Sequence, residues 1–166
     1  MEQFTQILRE ATAAIPPEYF LLPIHGGDSV YRERVYCYEF YHQMRRLWPP
    51  DCPYRLNGEV DKRSHPYLQD GGQPKPDLLV HQPGTGENYA VIEVKSSRAA
   101  AREIDKDLGT LTLFMNRLGY HRAIYLIYGA EAPDAAVRVH ECAARFQQIA
   151  PFELWLHSTV GTPAAS

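Results

Sequence analysis

The stretch PDLLVHQPGTGENYAVIEVKSS, residues 76–97, decides how this chain is read. Leu78-Leu79-Val80 is one apolar run and Tyr89-Ala90-Val91-Ile92 a second, and Pro83-Gly84-Thr85-Gly86 between them is turn chemistry. The pattern predicts a β-hairpin. Its strands are apolar, yet Asp77 opens the first and Glu93-Val94-Lys95 closes the second. Side chains alternate along a strand, so Val91, Glu93 and Lys95 share one face while Ile92 and Val94 share the other. Two carboxylates and an ammonium therefore sit at neighbouring strand ends.

Beyond the hairpin, Ile104, Leu108, Leu111, Met115 and Leu118 recur at helical spacing. They form one stripe of an amphipathic helix over residues 99–118, which Gly119 stops. HRAIYLIYG (His121–Gly129) is a buried strand. Pro133 opens a helix that continues to about Ile149, and PFELWLHS (Pro151–Ser158) is a last strand. Residues 158–166 are expected to be a disordered tail. Upstream, residues 2–14 suit a helix with Phe4, Ile7, Leu8 and Ala11 on one side, stopped by Pro16-Pro17. The segment to Gly26-Gly27 reads as loop or extended chain. Asp28 or Ser29 is an N-cap for a second helix reaching Trp48, ended by Pro49-Pro50. Residues 53–62 suit a strand with a bend at Asn57-Gly58. The order is helix, helix, three strands, helix, strand, helix, strand. That is an α/β chain with a mixed sheet flanked by helices, expected as one domain over residues 1–157.

A chain of 166 residues is long enough for one domain with a buried core. No apolar run approaches the roughly 20 residues of a membrane helix. Met1-Glu2-Gln3-Phe4 lacks the basic and apolar start of a signal peptide. Cys37, Cys52 and Cys142 are scattered, with no C-x-x-C pair or zinc spacing, and a reducing cytoplasm is the simplest setting. The net charge of −3 does not advertise a nucleic-acid binder. The charge is uneven, however. Residues 31–63 carry seven Lys/Arg against five Asp/Glu and residues 95–122 six against three, while every other segment is acidic. These two blocks have the makings of a basic face, or serve only solubility.

The strand-end charges suit one kind of chemistry. Cutting a phosphodiester builds negative charge on phosphoryl oxygens and on the leaving alkoxide, and a divalent metal stabilises that charge while making bound water more acidic. Mg²⁺ takes oxygen ligands and usually accepts only one or two carboxylates. Asp77 and Glu93 match that demand, and the backbone carbonyl of Val94 between the two side chains is a third candidate ligand. Lys95 would stand beside the attacking water, to orient it, to hold the phosphate, or to help deprotonate it if its pKa is lowered. Glu39, a carboxylate on a covered helix, needs a partner and could reach the same point.

Pro76-Asp77 followed by Glu93-Val94-Lys95 resembles the P-D-…-[DE]-x-K signature of the restriction-endonuclease-like (PD-(D/E)xK) nuclease superfamily. That family's core is a helix, three strands, a helix and a strand, the order expected here from residue 28 to residue 128. The resemblance implies metal-dependent phosphodiester hydrolysis, usually of DNA, with Mg²⁺ or Mn²⁺ as cofactor. It implies that Asp77 and Glu93 bind metal, that Lys95 acts at the nucleophilic water, and that Glu39 joins them from the first core helix. A basic residue on the helix after E-x-K sometimes assists in the family, and Lys106 and Arg102 stand there.

Plainer readings exist for each residue. Asp77 after Pro76 suits a turn. Glu93 and Lys95 suit a rim ion pair, a small contribution if exposed. Glu39 has Arg46 and Arg32 on its own helix. The seven histidines show no metal spacing, and His65, in the loop before Asp77, could be a substrate contact. Tyr31, Tyr36, Tyr38 and Tyr41 read as helix-packing groups, one or two of which could stack on a base. The cysteines read as packed thiols, and Trp48 and Trp155 as core. A lone domain with so few basic residues should hold DNA weakly, which points to a homodimer or a partner protein. The competing functional class is a catalytically silent module of this fold that binds nucleic acid or protein within a larger assembly.

Overall fold

Strict alternation along the strands sorts the side chains into two layers. The computed structural model describes residues 3–60 and 74–166. Helices α1 (Phe4–Ala13), α2 (Pro17–Phe20) and α3 (Glu33–Arg46) precede strands β1 (Arg55–Gly58), β2 (Leu78–His81) and β3 (Asn88–Ser96). Then follow α4 (Ala101–Leu118), β4 (Arg122–Tyr128), α5 (Ala132–Ala143) and β5 (Glu153–His157). The strands form one five-stranded sheet in sequence order. β1–β2 and β2–β3 pair antiparallel, whereas β3–β4 and β4–β5 pair parallel. The parallel half needs crossovers, which α4 and α5 supply. The sheet is thus mixed and open, with helices on both faces, as the sequence pattern predicts.

One face buries Leu78, Val80, Ile92, Val94, Leu126 and Tyr128 under α1 and α3, which contribute Phe4, Ile7, Leu8, Tyr36, Phe40 and Met44. The other buries Leu79, Val91, Tyr125 and Ile127 under α4 and α5, through Ile104, Leu108, Leu111, Phe114 and Val139. Because both faces are covered, β2 is buried at all four positions, the apolar run Leu78-Leu79-Val80 followed by a buried His81. The hairpin turn needs Gly84, whose φ of 79° is open to glycine at no steric cost. Gly119, at φ 67°, ends α4 in the same left-handed conformation. On α4 it is Phe114, not Met115, that sits fully in the buried stripe.

Four segments depart from the sequence expectation. α3 starts at Glu33, not at Asp28 or Ser29, because Val30 exchanges both backbone hydrogen bonds with Leu22 (2.9 Å each) and so is held extended. Pro17, with its φ already helical, opens the single turn of α2 in a segment expected to lack helix. α5 stops at Ala143, after which the amides of Arg145 and Phe146 turn to carbonyls three residues back. Residues 158–166, expected to be a disordered tail, fold back on the sheet. Ala165 exchanges backbone hydrogen bonds with Leu156 (2.8 and 3.0 Å), and the buried Ala164 donates its N–H to Thr12 Oγ1 at 2.9 Å. β5 is an edge strand, and this return covers donors and acceptors that an edge leaves open. The end of the expected strand over 53–62, and His65, lie outside the described residues. No helix among the described residues is long and apolar enough to cross a membrane.

His157 closes the first core. It is fully buried, its Nδ1 lies 2.8 Å from the Tyr36 hydroxyl, and Phe20 meets its ring edge-on at 4.9 Å. Burial pushes its pKa down from 6.5 to about 4, against a smaller opposing effect of the Thr159 backbone. The unfolded chain takes up this proton first as pH falls. The stability tied to neutral His157 is therefore complete above about pH 6.5 and is lost toward pH 4, by up to about 3 kcal/mol. Urea unfolding of the native chain and of His157→Gln across that range should show a stability slope that the variant lacks; equal slopes would contradict the assignment.

Candidate active site: carboxylates gathered around Lys95

The antiparallel register that pairs Leu78 with Ile92 sets Asp77 directly opposite Glu93. Opposed residues on paired strands project to the same face. Here that face is the one covered by α4. Asp77 is fixed further by its own side chain, since Oδ2 accepts the Val94 N–H at 2.8 Å. That bond turns the backbone edge of Val94 toward Asp77, and the Val94 carbonyl leaves the strand on the same side. Lys95, two residues after Glu93, shares its face. The three residues singled out in the hairpin therefore converge, and they line one cavity of about 240 Å³.

Two further carboxylates enter the same cavity. Glu33, in the first turn of α3, accepts a hydrogen bond from Lys95 Nζ at 2.5 Å. Asp107, on the buried stripe of α4, places Oδ2 at 3.5 Å from the same ammonium. That distance is an ion pair but too long for a good hydrogen bond, and Asp107 Oδ2 is buried with no hydrogen-bond partner. The Tyr125 hydroxyl, from the strand position paired with Glu93, is likewise buried without one. Around the rim stand Arg34, Lys75 and Lys106, with Glu59 bridging to Lys75 (2.7 Å) and Arg34 (3.5 Å).

This crowding has electrostatic consequences. Glu93 is only 4 % exposed. Burial raises its pKa well above the usual carboxylate range, and the charges of Asp77 and Asp107 add to the rise, against Lys95. Burial likewise lifts Asp107 to about 6 and raises Glu33, in each case against the pull of Lys95. Burial opposes the charge on Lys95, but Asp107, Glu33 and Asp77 outweigh it and raise its pKa. Lys95 is thus a fixed cation. In the metal-free site the negative side chains around it hold the proton on, and the expected role as a base depends on a pKa lowered by a metal as well as by burial.

Glu39 does not join the cluster. It is not among the described residues lining the cavity, and its Oε1 instead accepts from Gln43 Nε2 at 2.5 Å. Six residues separate it from Glu33, which at about 100° per residue turns it roughly 120° away. The helix acid that reaches Lys95 is Glu33, whereas Glu39 is singled out in the sequence by helical phase and not by a tight motif. Lys106 lines the cavity, while Arg102 is exposed and does not. Asp107 was open to detection. Flanked by Ile104, Leu108 and Leu111, it is a carboxylate on an apolar stripe, which is costly without a partner.

No family model matches this chain, and neither a curated protein nor a solved structure matches it. The site is therefore judged on its own donors. Among the described residues no group of three or more His, Cys, Asp or Glu side chains is arranged to hold a metal ion. What the cavity offers is a pair of carboxylates, Asp77 and Glu93, with a backbone carbonyl between them. That hard-oxygen set fits Mg²⁺ or Mn²⁺, which take one or two carboxylates and retain waters. The fit also rests on two unsatisfied buried oxygens, Asp107 Oδ2 and Tyr125 Oη, and on a buried Glu93 short of positive charge.

A raised carboxyl makes the metal-free fold most stable below the ordinary carboxylate pKa of about 4 and less stable as pH rises. For Asp107 that loss runs from about pH 4 to about 6, and for Glu93 it extends upward from 4.5. Glu93→Gln removes the second cost. With chelator at pH 8 this variant should melt above the native chain. Mn²⁺ should raise the native melting temperature by about 5–10 °C near saturation, more at pH 8 than at pH 5, and leave the variant unmoved. A variant that melts lower in chelator and still responds to Mn²⁺ would remove Glu93 from the site.

Proposed function

We propose that this chain is a Mg²⁺- or Mn²⁺-dependent nuclease of the restriction-endonuclease-like PD-(D/E)xK kind, hydrolysing phosphodiester bonds in DNA. The observation that carries the reading is the convergence of Asp77 and Glu93 across the β2–β3 pair, with Lys95 on the same face. The run α3-β1-β2-β3-α4-β4 supports it, since it is the helix, three strands, helix and strand of that family's core.

In this reading Asp77, Glu93 and the Val94 carbonyl hold the cation, which supplies charge stabilisation to the phosphoryl oxygens and lowers the pKa of bound water. The protein's own groups do the rest. Val94 N–H fixes the Asp77 carboxylate, so one of its two oxygens is already directed and less freedom is lost on binding. Lys95, kept protonated, presents a donor and a positive charge to the water or to a phosphoryl oxygen. Glu33 and Asp107 hold the ammonium in place from two different helices. Arg34, Lys75 and Lys106 at the rim meet the phosphates on either side. The few basic residues of a single copy favour action as a homodimer or with a partner protein.

The second reading, a silent module of a larger assembly, draws on one observation: Lys95 is already engaged by Glu33 and Asp107. The two separate in a cleavage assay. Purified chain with Mn²⁺ or Mg²⁺ should cut plasmid or oligonucleotide DNA, stop on adding chelator, and lose on the order of 100-fold or more in Asp77→Ala and in Lys95→Ala. The same trace activity in all three proteins, with or without metal, would exclude the nuclease.

A further inference from the structure

A second cavity, of about 340 Å³, adjoins the carboxylate site. The two share a wall made of Glu59 and Asp77. The rest of the second cavity is of another chemistry. Tyr38 and Tyr41 face it from α3, and Leu78 and Cys37 complete it. Burial pushes the Cys37 thiol well up, with the charge of Asp77 adding, so its wall is neutral. Tyr41 is half-buried in the first core, and its hydroxyl donates to the Leu56 carbonyl at 3.4 Å. Tyr38 is 56 % exposed and gains nothing there from the core. The other tyrosines of this helix region are committed elsewhere. Tyr36 stacks on Tyr128 at 3.8 Å between ring centres, and the Tyr31 hydroxyl accepts the Ala130 N–H.

A nucleic-acid strand alternates an anionic phosphate with a planar aromatic base one sugar away. Adjacent cavities, one lined by charges and one by tyrosine rings, offer the same alternation, and Arg34 and Lys75 are held at the shared wall through Glu59. The volume admits one base with its sugar and does not admit a duplex. A paired, stacked base cannot turn into such a cavity without being unpaired and unstacked first, which costs free energy. We propose that this cavity is a nucleobase subsite, and that the preferred substrate therefore presents an unpaired base, stacked against Tyr38, next to the scissile phosphate. The proposal rests on the nuclease reading above and names the substrate class for that site.

The test keeps the two ideas apart. In a Lys95→Ala background with Mg²⁺, which binds without cutting, a single-stranded oligonucleotide carrying 2-aminopurine should lose fluorescence on binding as the base stacks. Adding Tyr38→Ala should weaken that binding about 5- to 150-fold, the range for loss of one stacked base. Tyr38→Phe should restore it, and the same sequence as a full duplex should show no quenching. Separately, the native chain with Mn²⁺ should cut the single strand faster than the duplex, and Tyr38→Ala should raise KM with kcat little changed. Quenching that is absent, or equal in Tyr38→Ala, would overturn the subsite. Cleavage of single strand and duplex alike, with Tyr38→Ala at native KM, would overturn it while leaving the nuclease intact. Quenching that follows Tyr38 in a protein without metal-dependent cleavage would uphold the subsite and overturn catalysis.

Discussion

Two carboxylates, Asp77 and Glu93, face each other across an antiparallel strand pair at the edge of a buried core. Like charges at that spacing repel, and burial strengthens the repulsion by removing water. Burial, with the charges of Asp77 and Asp107, raises the pKa of Glu93 well above the usual carboxylate range, against the pull of Lys95. A fold that only needed packing would place apolar residues here, as it does at Leu79 and Val91 on the same face. The persistent cost of two acids at one point is the ground for proposing a bound cation there.

The surrounding elements each meet a demand set by this pair. A register shift between Val80 and His81 separates the hairpin turn from the inner ladder, and it is in the shifted register that Asp77 stands opposite Glu93. Val94 gives up its N–H to orient Asp77 in place of a longer β2 ladder. α4 must cross from β3 to β4 to join parallel strands, and in doing so it lays Asp107 over Lys95. α3 covers the opposite face, yet its first turn brings Glu33 to the same ammonium. Lys95 is thus tied to both helix layers, by a hydrogen-bonded ion pair with Glu33 and a longer one with Asp107. Among the described residues the negative side chains at this point outnumber the one buried cation, and the imbalance sits beside the opening ringed by Arg34, Lys75 and Lys106.

The part of this arrangement that lies within one strand is legible in the sequence, because alternation puts Glu93 and Lys95 on one face. Asp77 joins them only through the register shift between Val80 and His81, which the alternation does not report. The parts contributed by helices were harder. The start of α3 depends on Val30 pairing with Leu22, a contact outside the helix, and which of its acids meets Lys95 follows from how the helix seats on the sheet. Asp107 carried a signal, a carboxylate among Ile104, Leu108 and Leu111, that a stripe counted by its apolar members passes over. The folding back of residues 158–166 has its cause in the open edge of β5, which no local composition reports. The fate of Tyr38 as against Tyr36, one exposed beside a cavity and one stacked in the core, is a matter of helical phase and resolves only once α3 is seated on the sheet.

The most direct measurement is a crystal structure of the chain soaked in Mn²⁺, with anomalous difference density computed at the Mn edge. The account predicts a single strong peak within coordination distance, about 2.0–2.6 Å, of Asp77 and Glu93 carboxylate oxygens. It also predicts Glu39 still bonded to Gln43 and away from that peak. A soaked crystal in which Asp77 and Glu93 remain in contact with no density between them, or in which Mn²⁺ settles on other side chains, would contradict it.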